Sequence, residues 1–94
     1  MPQIIYTENF VNDFERLCDF LNEKNPLAAE RLSKVLYEKL DLLASIPEAF
    51  TFLGPHRLYF LAFGTSGYAI LYEYNEASDS LVLLRIKHQK EAGF

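Results

Sequence analysis

Residues 56–74 read His56-Arg57-Leu58-Tyr59-Phe60-Leu61-Ala62-Phe63-Gly64-Thr65-Ser66-Gly67-Tyr68-Ala69-Ile70-Leu71-Tyr72-Glu73-Tyr74. Two runs dense in aromatic and aliphatic side chains flank a short stretch with two glycines. Such side chains favour a pleated backbone, and Gly64 and Gly67 can take positive φ, so the stretch predicts an antiparallel hairpin with strands over His56–Phe63 and Tyr68–Tyr74. A third run, Leu81–His88, follows the polar connection Asn75-Glu76-Ala77-Ser78-Asp79-Ser80 and extends the hairpin to a three-stranded meander.

Upstream of this stretch the apolar period changes from two to about 3.6. Phe10, Val11, Phe14, Leu17, Cys18 and Leu21 form one stripe of a helix from Glu8 to about Lys24, with Asp13, Glu15, Arg16, Asp19 and Glu23 on the remaining faces. Asn25-Pro26 interrupts the stripe. The residue before a proline is pushed out of helical geometry, whereas proline suits the first position of a new helix, so Asn25 is the expected N-cap. The second helix, from Pro26 to about Ser45, presents Leu32, Val35, Leu36, Leu40, Leu43 and Ile46 and stops at Pro47. With so short a connection the two helices form an antiparallel hairpin. Gln3–Tyr6 is short and β-prone, and Thr7 can cap the helix after it. Residues 48–55 read as a loop. The expected fold is α+β, in the order β-α-α-β-β-β, with the helical hairpin on an antiparallel sheet that the first strand joins at an edge.

Length and composition agree with one domain over residues 1–94. A chain of this size buries roughly 65% of its unfolded surface, enough for one core. Half the residues are hydrophobic and 15% aromatic, too rich for a disordered segment. The single cysteine, Cys18, lies on a helical stripe, where it acts as a small hydrophobe, and it has no partner for a disulfide or zinc site. A reducing, cytoplasmic compartment is expected. The first residues lack a basic leader segment, and no apolar run approaches the ~20 residues that cross a bilayer, so neither signal peptide nor membrane span is expected. The net charge of -4 argues against a broad phosphate-binding surface and against direct sequence-specific nucleic-acid binding.

Both sides of the predicted strands are apolar. Tyr59, Leu61 and Phe63 share one side, and Leu58, Phe60 and Ala62 share the other. A sheet with one wet face alternates apolar with polar residues, so the outer face is expected to be covered, by a partner or by the tail Ala92-Gly93-Phe94.

The order of these elements, with Asn25-Pro26-Leu27-Ala28-Ala29, Leu43-Ala44-Ser45-Ile46-Pro47, Gly67-Tyr68-Ala69-Ile70-Leu71-Tyr72 and the closing Leu83-Leu84-Arg85-Ile86-Lys87-His88-Gln89-Lys90-Glu91, resembles the ParE branch of the RelE/ParE toxin superfamily. The resemblance implies a toxin of a type II toxin–antitoxin system, neutralised by a cognate antitoxin that wraps around it, sometimes as a heterotetramer. It also implies inhibition of DNA gyrase, as in characterised ParE members, and a plasmid-stabilisation role. RelE-type relatives cleave messenger RNA on the ribosome with basic residues at positions that correspond here to Phe60, Ala62, Ala69 and about Gln89, none of them basic. Phe and Ala can neither stabilise a more negative phosphate nor move protons. The resemblance therefore favours action by protein binding. RelE-type cleavage and a nontoxic interaction module stand as alternatives. The superfamily is commonly basic, so the acidic charge is a departure.

Arg57 and Arg85 stand in apolar strands and need acidic or backbone acceptors. Glu73 or Glu91 would serve Arg85 within the chain, and an acidic antitoxin would serve from outside. Phe60 and Tyr72 are aromatic anchor candidates. Arg57, Phe60, Tyr72, Arg85 and His88 are thus the expected partner contacts. His88 with Glu91 lacks a nucleophile or oxyanion donors at sequence level, so no catalytic residue is assigned, and no metal or cofactor is expected.

Overall fold

Thr7 ends a strand and starts a helix, and its hydrogen bonds carry out both tasks. Its hydroxyl accepts from the Phe10 N–H at 3.2 Å and donates to the Leu83 carbonyl at 2.7 Å. A computed structural model describes residues 2–91. The elements run β1 (Gln3–Tyr6), α1 (Glu8–Lys24), α2 (Pro26–Ser45), β2 (Thr51–Leu53), β3 (His56–Phe63), β4 (Ser66–Asn75) and β5 (Ser80–His88).

Asn25 alone separates the helices. Its N–H donates to Leu21 O at 2.7 Å, closing α1, and its Oδ1 accepts from the Ala28 N–H at 3.2 Å, opening α2 with Pro26 in the first turn. One residue thus serves as cap to both helices and folds them back on each other.

The sheet has five strands in the order β1-β5-β4-β3-β2, antiparallel except for the β1–β5 pair. Its fifth strand corrects the sequence reading, which left residues 48–55 as a loop. Thr51-Phe52-Leu53 pairs with His56-Arg57-Leu58 through a tight turn in which Gly54 takes φ +61°. Three residues give too little periodicity to be read as a strand.

The core lies between one face of the sheet and the helical hairpin. Tyr59, Leu61, Tyr68, Ile70, Tyr72, Leu81, Leu83 and Ile86 meet Phe10, Leu17, Leu32, Leu36, Leu40 and Leu43 there. Each such side chain, fully buried, contributes roughly 1.5–3 kcal/mol against conformational entropy. The register shifts at Leu71/Tyr72, so that Ile70 faces Ile86 but Tyr72 faces Leu83. The extra residue in β5 lets both Leu83 and Ile86 point into the core, a β-bulge that strict alternation does not foresee.

One expectation about the hairpin changes. Gly64 does adopt positive φ, but Gly67 does not: it lies inside β4, where an added Cβ would sit 2.3 Å from the Phe60 ring and 2.8 Å from the Leu61 carbonyl oxygen. Gly67 is small so that the aromatic ring can lie against the backbone. On the outer sheet face Phe60 is 51% exposed among the described residues, and the tail at 92–94, named above as one possible cover, lies outside them. No helix among the described residues is long and apolar enough to cross a membrane.

Candidate functional site

A cleft of about 820 Å³ opens where the tip of the helical hairpin overhangs the β3–β4 turn and the end of β5. Arg16 and Phe20 reach it from α1, Arg31 from α2, Phe63 and Tyr68 from the sheet, and His88, Lys90 and Glu91 from the chain end. The positions follow from the Asn25 pivot. In an antiparallel hairpin, residues at similar distances before and after the turn face one another, which brings the second half of α1 beside the start of α2.

The cleft is basic in an acidic chain. Arg16, Arg31 and Lys90 outnumber its one carboxylate, Glu91. Glu91 organises the wall: Oε2 accepts from Arg16 at 2.8 Å, and Oε1 accepts from the His88 N–H at 2.9 Å. The Lys90 N–H donates to His88 Nδ1 at 3.1 Å, which leaves Nε2 as the protonated nitrogen of the neutral ring. The Tyr68 ring meets His88 edge-on, with centroids 5.2 Å apart. Burial pushes the Tyr68 hydroxyl above its ordinary pKa, and the Cys18 thiol and Glu91 push it the same way, so it stays a neutral phenol. Arg31 lies 5.6 Å from the Phe63 ring centroid and makes no ion pair among the described residues. Its charge is available to an incoming anionic group.

Of the five expected contact residues only His88 lines this cleft. Arg85 is occupied within the chain by Asp13, not by Glu73 or Glu91: Nε donates to Oδ2 at 2.6 Å and a terminal nitrogen donates to Oδ1 at 3.0 Å. Asp13 is therefore a buried residue, although its position off the apolar stripe suggested a solvent-facing one. Arg57 staples the loop before its strand, donating to the Glu48 and Phe50 carbonyls at 3.0 and 2.8 Å and stacking 3.9 Å over the Phe52 ring. Tyr72 is fully buried and donates its hydroxyl to Pro47 O at 2.7 Å. As a core residue it offers no surface to a partner. Phe60 is exposed, but on the outer face, over Gly67 and opposite Ala69.

Sequence reasoning missed Arg16 and Arg31, whose signal was their placement on either side of the Asn25 pivot. It treated Tyr68 as a packing aromatic, which it also is. The cleft can hold an anionic group against Arg31 and Lys90, with Arg16 already paired to Glu91, and it places a phenol and an imidazole nearby. Phe60, Ala62 and Ala69 do not line it. No cluster of His, Cys, Asp or Glu suited to a metal occurs among the described residues. Burial raises the Cys18 thiol pKa, the wrong direction for a nucleophile.

The family model for the ParE toxin of type II toxin–antitoxin systems matches residues 4–93. Among solved structures, the chain is similar to one in the intact Escherichia coli RelBE toxin–antitoxin complex, at 16% identity and TM-score 0.64, covering 97% of this chain and 100% of that one. A metal-bound toxin from Helicobacter pylori is similar at 17% identity and TM-score 0.57, with 99% and 100% covered. A chain of the RelBE2 toxin–antitoxin complex of Mycobacterium tuberculosis follows at 17% and 0.53, with 95% and 100% covered. At these identities the structural likenesses concern the fold. Among curated proteins no sequence matches.

Proposed function

The chain belongs to the ParE toxin family of type II toxin–antitoxin systems, and from that premise we propose that a cognate antitoxin holds it inactive by seating acidic side chains in the basic cleft. Released, the protein disables a cellular target by binding it, and DNA gyrase is the target we infer from the family. The observation that carries this reading is the concentration of Arg16, Arg31 and Lys90 around one large cleft in a chain of net charge -4. Solved relatives that are themselves parts of toxin–antitoxin complexes support an antitoxin partner. An assembly of two toxins with two antitoxins in the reducing cytoplasm completes the proposal.

A second reading has one observation in its favour. Tyr68 and His88 stand beside cations, and a phenol, an imidazole and arginines are groups that can transfer protons and stabilise phosphate charge in RNA cleavage. Against it, Phe60, Ala62 and Ala69 leave the RelE-type basic positions empty of charge.

Inducing the chain alone, and with the product of the neighbouring reading frame, separates the readings. Growth arrest with relaxed plasmid DNA and intact transcripts, relieved by the neighbour, is the expected outcome. Cut transcripts with normal supercoiling, abolished by His88→Ala, would replace this reading with the second. No growth defect would leave a nontoxic binding module.

A further inference from the structure

The outer face of the sheet follows from the strand register. On the inner side Tyr59, Leu61, Ile70 and Tyr72 are buried, so alternation turns Leu58 and Phe60 of β3 and Ala69 and Leu71 of β4 outward. Phe60 is exposed and the other three are half-buried. The Phe60 ring leans on Gly67, and Ala69 beside it is a low point of the face. At one end Glu73 Oε2 lies 3.4 Å from His56 Nδ1, a buried nitrogen with no hydrogen-bond partner among the described residues. Next to this pair, β2 turns the exposed Leu53 outward opposite His56, and β5 turns Val82 outward opposite Glu73.

This surface complements itself. A twofold axis laid along the β3–β4 hairpin sets each residue of β3 over its register partner on β4 of a second copy, and each residue of β2 over one on β5. Phe60 then stands over Ala69, large against small, and Leu58 over Leu71. His56 stands over Glu73, an imidazole against a carboxylate. At the margin Leu53 meets Val82 and Thr51 meets Arg85, so no like charges face one another. Other occupants fit less well. Nucleic acid or an anionic membrane needs a field of cations, whereas the cations of this face are Arg85, which Asp13 holds, and Lys87 on the same marginal strand. An acidic segment meets Glu73 here and cations in the cleft.

We propose that the outer sheet face is a contact between two copies of this chain, packed face to face about a twofold axis along the β3–β4 hairpin. Two twisted sheets about 10 Å apart pack in this aligned way. Four strands about 4.8 Å apart, with outward rows about 6.7 Å apart, give a patch of roughly 400 Å² on each copy. A contact of that size is reversible, with a Kd of about 10–100 µM. It uses no residue of the cleft, and it holds whether or not the chain is a toxin.

Sedimentation equilibrium of the full chain from about 1 µM to 1 mM should show a reversible monomer–dimer equilibrium. Phe60→Ala leaves a void over Ala69, and Ala69→Phe sets two large rings against each other, so each should weaken dimerisation about tenfold or more. Mixed in equal amounts, the two variants regain one large and one small side chain at each crossing, and the mixture should dimerise within about threefold of the wild type. Glu73→Lys should weaken the dimer about threefold, and Glu76→Lys, the same charge change in the β4–β5 turn, should not. Circular dichroism should show each variant folded. On the wild type itself, raising the concentration should shift the methyl resonances of Leu58, Ala69 and Leu71 and leave those of Leu17 and Leu21, in the cleft, in place, which tests the contact without any variant. A chain monomeric throughout the range, a dimer that neither Phe60→Ala nor Ala69→Phe weakens, a mixture no tighter than the single variants, or shifts at Leu17 and Leu21 instead would each overturn the proposal.

Discussion

The Asp13 carboxylate accepts three hydrogen bonds, two from Arg85 and one from the Ile86 N–H at 3.2 Å. β1 pairs with β5 only as far as Leu83, so the β5 edge beyond it would be unpaired, and Asp13 supplies the acceptor that β1 no longer provides. Burial by itself pushes the Asp13 carboxyl up. The Arg85 and Ile86 bonds, with the charges of Arg85 and Arg16, outweigh it and leave the pKa below the usual aspartate value. A lowered folded-state pKa contributes stability that is complete above the unfolded value of 3.8 and is lost as pH falls through the folded one. Urea midpoints should therefore drop for the wild type below about pH 4 and drop less for Asp13→Asn. Asp13→Ala should cost about 2–3 kcal/mol at pH 7, below the full figure for a buried pair because Arg85 remains partly exposed. Equal acid sensitivity of wild type and Asp13→Asn would remove this role. None of this was legible in the sequence, where a carboxylate off the apolar stripe reads as solvated and its partner lies in a distant strand. Gly67 was misread for a related reason: its need for smallness comes from the Phe60 ring across the hairpin. Gly67→Ala should destabilise by about 1–3 kcal/mol through the Leu61 carbonyl and Phe60 contacts, measured by chemical denaturation. A neutral result would mean that the hairpin yields.

Among the elements, those governed by local rules were readable and those governed by tertiary pairing were not. Thr7 and Asn25 cap their helices as their sequence contexts imply, because a capping bond spans only three residues. β2 escaped because it gains its identity from pairing with β3 and from Arg57, which holds the Glu48 and Phe50 carbonyls. The bulge in β5 escaped because alternation assumes a uniform period. Tyr72 reaches from the sheet to Pro47 and so fixes where the loop after α2 begins. Tyr72→Phe should cost about 1 kcal/mol, with faster amide exchange confined to residues 47–53; unchanged exchange there would contradict the latch. Burial raises the Tyr72 pKa to about 12, and Arg57 lowers it only in part. A raised folded pKa gives stability present below the unfolded value of 10.0 and lost as pH rises toward the folded one. Wild type should lose stability between about pH 10 and 12 more steeply than Tyr72→Phe.

At the scale of the molecule, a chain of net charge -4 brings Arg16, Arg31 and Lys90 to one cleft at the hairpin tip. The fold class was legible from element order, and the family resemblance from that order together with segments such as Asn25-Pro26 and Gly67-Tyr68. The cleft was not, since it forms only when Asn25 folds α1 onto α2 and the end of β5 arrives beside them. Arg31 is the most direct handle on the central claim, being an exposed cation in the cleft without an ion pair among the described residues. The deciding measurement is the affinity of purified Arg31→Glu for the neighbour-encoded antitoxin, by titration calorimetry beside the wild type. The account predicts binding weakened by about tenfold or more at unchanged melting temperature, with the variant still arresting growth. Wild-type affinity in Arg31→Glu would contradict it.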